Sequence, residues 1–185
     1  MESIPHHNHQ APASSCCEAE KPAPPSFLQT YRPLLLVAAF LIGATALVEV
    51  RAGSWDPMRA MSVFMGGFFL FFSFFKFLDL SSFAEAFATY DVIAKRSSVY
   101  AWSYPFIELA LGVGFVLNVF PVFVNGATAV LMVVGNLGVW RALRKKQAIE
   151  CACLGTIFKL PMTKVTLFEN TLMLVMAVST LWMQG

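Results

Sequence analysis

Five long apolar runs constrain this chain more than any other feature. They extend from about Pro33 to Val50, Arg59 to Leu80, Trp102 to Phe120, Val122 to Trp140 and Val165 to Met183. Each holds at least 18 residues, which as a helix rises roughly 27 Å or more, enough to cross a bilayer's hydrocarbon core. Most are not amphipathic. Helices that are apolar all round belong in lipid or in the middle of something much larger, and a 185-residue chain with 57% hydrophobic and 13% charged residues offers no such larger core. The expected fold is therefore all-α: a bundle of about five transmembrane helices, plus one amphipathic interfacial helix described below. The expected surroundings are a lipid bilayer.

The segments between the runs differ in kind. Residues 1–30 read as a disordered tail rich in Pro and Ala, with His6, His7, His9, Cys16 and Cys17 clustered in it; such a composition cannot bury a core. Residues 31–185 read as the membrane domain. The tail lacks the basic start and short apolar core of a secretory signal, so the first run is expected to act as an uncleaved insertion signal. From Ser81 to Arg96, Phe83, Phe87 and Tyr90 recur at helical spacing among Glu85, Asp91, Lys95 and Arg96, the pattern of an amphipathic helix on a membrane surface. Gly66 and Gly67 in the second run predict close approach of another helix.

Five spans put the tail, the 81–96 segment and the loop 141–164 on one side. Ten Lys and Arg residues accompany them, from Lys21 to Lys164, against Arg51 and Arg59 on the other side. The positive-inside rule then places the N-terminus and that loop in the cytoplasm and the C-terminus outside. The cell (inner) membrane of a bacterium is the expected location.

The loop carries the chemistry. Within Glu150–Pro161, ECACLGTIFKLP, stand Cys151 and Cys153. Only a thiolate attacks a disulfide or binds a soft metal, and nearby cations such as Lys145, Lys146, Lys159 and Lys76 favour it. A Cys-x-Cys disulfide is small and strained, which suits exchange better than stapling. Helix direction brings Lys76, Asp79, Glu108 and Glu169 with Asn170 toward the same membrane face. Ionisable groups inside a membrane boundary usually point into the bundle, so a polar pocket opening toward the dithiol is expected, with a carboxylate such as Glu108 or Glu169 moving protons. Blander readings stand beside these. The two cysteines are equally small hydrophobes in lipid, Lys76 and Asp79 interface anchors, and the tail cluster simply solvated.

CACLG at 151–155 resembles the Cys-x-Cys-Phe/Leu-Gly signature of the methylamine utilisation protein MauE and its DoxX-like relatives. MGGFFLFFSFFKFLDL, YDVIAK, YPFIELALG and LPMTKVTLFENTLM resemble a redox-associated subgroup often fused to a heavy-metal-associated domain. The resemblance extends from about Tyr31 to the C-terminus. It implies a bacterial multi-pass protein tied to thiol–disulfide handling; the family namesake is associated with maturation of the disulfide-rich small subunit of methylamine dehydrogenase. Cys151, Cys153 and Gly155 match the signature itself, and Lys76, Asp79, Glu108 and Glu169 fall in the subgroup phrases.

Two functions from different classes follow, with a third behind them. In the first, Cys151 and Cys153 exchange disulfides with a partner protein, a thiol exchange activity rather than metabolic catalysis. In the second, a soft metal ion of copper or mercury type is captured by His6, His7, His9, Cys16 and Cys17 and relayed to the dithiol, with a metal-handling partner protein. The third is a purely structural or assembly role. Nothing in the chain resembles a nucleic-acid module, a phosphate loop or a hydrolase triad.

Overall fold

A computed structural model of the chain describes residues 27–145 and 163–184. These form six helices: α1 (Phe27–Ala52), α2 (Pro57–Leu78), α3 (Leu80–Tyr90), α4 (Ser98–Leu117), α5 (Pro121–Arg144) and α6 (Thr163–Gln184). All but α3 are long and apolar enough to cross a membrane. They correspond one to one with the five apolar runs; all five begin before the apolar limits, while α2 and α4 end two and three residues short of theirs, where Asp79 and Asn118 stop the helices.

The boundaries follow from local chemistry. Asp56 caps α2 by accepting from the Met58 amide at 2.9 Å, with Pro57 in the first turn, where its missing N–H costs nothing. Asp79 closes α2 and opens α3, its Oδ1 accepting from the Ser82 amide at 3.2 Å. Ser97 caps α4 in the same way. That helix ends at Asn118, which takes the left-handed conformation (φ 50°) while the Val119 amide reaches back to the Gly114 carbonyl. This is the glycine-type helix stop with Asn in its place, and it makes a tight turn into α5.

Packing pairs α2 with α4 and α5 with α6 most closely. Gly66 and Gly112 permit the first pairing. A Cβ on Gly66 would sit 3.2 Å from the Gly112 carbonyl oxygen, and one on Gly112 would sit 3.0 Å from the Leu70 amide nitrogen. Gly67 faces the other way, toward Leu41 of α1, so the glycine pair serves two neighbours. Among the described residues α1 packs on α2 only, and Leu36, Phe40 and Val50 on it are exposed. Phe120, Phe123, Val130 and Trp182 are exposed elsewhere. So much continuous outward apolar surface fits lipid, not water.

The 81–96 segment departs in detail from its sequence pattern. Its helix stops at Tyr90 because Asp91 competes with it: Asp91 Oδ1 accepts from the Ile93 and Ala94 amides, both at 2.9 Å, and folds residues 92–96 into a turn. The apolar face is directed inward. Phe83, Phe87 and Tyr90 are buried, and Phe87 packs on Tyr104 of α4 with ring centroids 4.4 Å apart.

Candidate functional site

Lys76 lies two residues before the end of α2, and Glu108 lies ten residues into α4. The packing of α2 on α4 brings them together as a buried ion pair, Nζ to Oε2, each side chain about 5% exposed. Tyr104, one turn before Glu108 on the same face, is a further hydrogen-bonding partner of that carboxylate. The ammonium also lies 4.9 Å from the Tyr104 ring centroid and 5.1 Å from that of Phe83, within the range of cation–π attraction. Thus α3 closes over the pair with aromatic rings. Burying two charges costs several kcal/mol each, on the order of what their attraction returns, so the pair persists because the Tyr104 hydroxyl also serves the Glu108 carboxylate and two ring faces meet the ammonium.

A cavity of about 30 Å³ adjoins the pair, lined by Tyr90, Tyr104, Glu169 and Asn170 as well as Lys76 and Glu108. It has room for roughly two water molecules among polar groups that would hold them. Glu169 and Asn170 reach it from the second turn of α6. Gly135 of α5 makes this possible, since a Cβ there would stand 3.0 Å from Asn170 Nδ2.

Glu169 also lines a second space, an apolar slot of about 260 Å³ between α1, α2 and α6, whose other walls include Leu34, Leu41, Phe64, Phe68 and Leu172. Phe68 and Phe72 are shared by both cavities. Glu169 therefore stands where an apolar slot meets a polar chamber.

The structure brings together Lys76, Glu108 and Glu169 of the residues singled out in the sequence. Asp79 does not line the cavity; it caps α3. Cys151, Cys153, Gly155, Lys146 and Lys159, and the tail group His6, His7, His9, Cys16 and Cys17, lie outside the described residues. Among the described residues no three His, Cys, Asp or Glu side chains cluster as a metal site. Sequence reasoning missed Tyr104 and the aromatic lid. The signal was present: Tyr104 precedes Glu108 by four residues, so a helix puts both on one face.

The family model for methylamine utilisation protein MauE matches residues 54–183, from the loop before α2 to the end of α6. The chain belongs to the MauE family. No curated protein and no solved structure matches it. The MauE match takes in both halves of the Lys76–Glu108 pair, Glu169 and the Cys-x-Cys loop, and leaves out all of α1 and the tail. The chain is a multi-pass membrane protein of the methylamine utilisation type.

Proposed function

We propose that this MauE-family protein supports methylamine utilisation by thiol–disulfide exchange, with Cys151 and Cys153 as the exchanging pair. One thiolate of the pair attacks a partner protein's disulfide, forming a mixed disulfide and releasing one partner thiolate. The second thiolate then attacks the mixed disulfide, freeing the partner's other thiolate and leaving a Cys151–Cys153 disulfide. Two electrons pass to the partner, and the two protons lost from the chain's thiols end on the partner's. Run backwards, the same steps oxidise the partner.

The observation that supports this reading is where the polar cavity lies. The chain enters the Cys-x-Cys loop from the end of α5 and leaves it into the start of α6. Glu169 stands six residues into α6, about 9 Å along its axis, and Lys76 only two residues from the end of α2. A small chamber with two carboxylates, two phenols and an ammonium therefore sits at the bundle end that bears the loop. In the proposed mechanism Glu169 and Glu108 take up and return the thiol protons, and Lys76 holds Glu108 in place. The charge distribution supports a bacterial inner-membrane location with this end in the cytoplasm.

Cys151→Ser and Cys153→Ser, expressed in turn, should each trap a mixed disulfide that non-reducing electrophoresis detects and mass spectrometry identifies. No trapped partner and unimpaired growth on methylamine with either variant would sink the proposal. Tight copper or mercury binding by the full chain, lost with Cys16, Cys17, Cys151 and Cys153 together, would instead favour a soft-metal relay. A maleimide reagent that reaches the cysteines only from the outer face of intact cells would overturn the orientation.

A further inference from the structure

A second polar cavity lies on the other side of Tyr90 from the Lys76–Glu108 chamber, and Tyr90 lines both. It has a volume of about 460 Å³ and is walled by the turn after α3 and the last turn of α5. Four cations line it: Lys95 and Arg96 from the turn, Arg141 and Lys145 from α5. Among the described residues no carboxylate lines it. All four cations are exposed, whereas Asp91 at the base of the turn is buried and engaged with the Ile93 and Ala94 amides.

The cleft is built by the fold rather than by loose surface chains. Gly138 lets the backbone of Tyr90 and Asp91 lie directly on α5; a Cβ there would be 3.0 Å from both the Tyr90 carbonyl oxygen and the Asp91 Cα. That contact sets the 92–96 turn beside the end of α5, so that two cations from each meet across one space. The neighbouring Arg144 is excluded from it. Its guanidinium stacks on Trp140, 3.6 Å from the ring centroid. An exposed Trp at the end of a membrane span marks the headgroup level. Four like charges facing one cavity repel each other unless an anion sits between them, and basic pockets between spans at this level hold phosphate headgroups.

We infer that the cleft between the 92–96 turn and the end of α5 is a binding site for the headgroup phosphate of an anionic phospholipid. The bound lipid would tie the turn to α5 and so brace α3, whose aromatic face covers the Lys76–Glu108 pair. The inference is independent of the thiol reading.

The test uses the full chain reconstituted in nanodiscs of phosphatidylcholine with phosphatidylglycerol, and native mass spectrometry to count retained lipids. The wild type should retain phosphatidylglycerol over phosphatidylcholine. Arg96→Gln with Arg141→Gln should lower that retention roughly tenfold or more. Arg32→Gln with Arg144→Gln, which removes two charges from the same membrane side outside the cleft, should leave it nearly unchanged. Arg96→Lys with Arg141→Lys should restore most of it, which separates lost charge from misfolding. Equal retention of the two lipids, or equal losses in the two Gln pairs, would overturn the site in favour of general surface attraction. Binding of inorganic phosphate with the same arginine dependence, without lipid retention, would overturn the lipid as its source.

Discussion

Two carboxylate–cation pairs, each with a buried carboxylate, lie at opposite ends of the bundle, and they do different things. At one end Glu49 accepts from Arg59 Nε and Nη2, both at 2.8 Å, and from the Asp56 amide at 2.8 Å. The partners are ten residues apart and clasp the short α1–α2 loop. The Glu49 side chain is 4% exposed but that of Arg59 is 34% exposed, so water shares the solvation of the guanidinium. At the other end Lys76 and Glu108 are 32 residues apart, on different helices, and both are closed off from solvent. The Glu49 carboxylate is matched by an Arg fork and one backbone amide, which is what a structural clasp needs. The Lys76–Glu108 pair opens on a polar cavity and carries aromatic rings over its ammonium. Polar residues deep in a membrane protein are costly and tend to mark function, but burial of the carboxylate alone does not separate the two. Adjoining space and further ionisable groups do.

The contrast can be broken by mutation. The largest effect is expected from removing one member of the deep pair. Lys76→Met or Glu108→Leu should each destabilise the bundle by about 3–5 kcal/mol, while the double substitution should recover much of that loss, because an uncompensated buried charge is the main penalty. Unfolding of the three variants in detergent micelles measures this, and a double variant as unstable as the sum of the singles would contradict it. Next comes the contact that forms the pair. Gly112→Ala should cost about 1–3 kcal/mol by forcing α2 and α4 apart at Leu70, and should weaken the Lys76–Glu108 pair without touching it, seen as faster hydrogen exchange at the ends of both helices.

Tyr104→Phe sharpens the comparison within the deep site. It keeps the ring over Lys76 and removes the hydroxyl from Glu108, so about 1–2 kcal/mol is expected, with the aromatic packing on Phe87 unchanged by near-ultraviolet circular dichroism. A small stability change is expected at the clasp. Arg59→Leu should shift the unfolding midpoint only slightly, since a pair that water reaches contributes little, and should leave the proposed thiol exchange at the wild-type rate. Glu169→Gln should reverse that pattern, with a near-wild-type unfolding midpoint and slowed exchange in a dithiol–disulfide assay. Equal loss of exchange in Arg59→Leu and Glu169→Gln would remove the distinction between the two ends.

The deep site was only partly legible in the residues. Lys76, Glu108 and Glu169 declare themselves because an ionisable group inside an apolar run is conspicuous, and helix direction assigns each to an end of the bundle. Asp79 shares that signal yet serves as the cap of α3, because a carboxylate just before a helix start finds free amides within its own chain. The lid was hidden for the opposite reason. Phe83 and Tyr104 look like any other aromatic residues in a membrane chain, and only the packing of α3 on α4 gives them an ammonium to cover. Asp91 was read as one charge on an amphipathic helix, but it is the residue that ends the helix.

What the sequence determined by itself was the number of spans, their approximate limits and the side on which positive charge collects. These depend on hydropathy, on the length of a helix needed to cross a bilayer, and on turn residues acting within a few positions of themselves. Tertiary structure alone decided which buried charges meet. An ion pair between residues 32 apart depends on the azimuth of two helices about their axes, and glycines such as Gly66 and Gly112 set that azimuth by letting one backbone touch the other. The physical reason is range: capping and hydropathy act locally along the chain, whereas desolvation of a charge depends on everything packed around it.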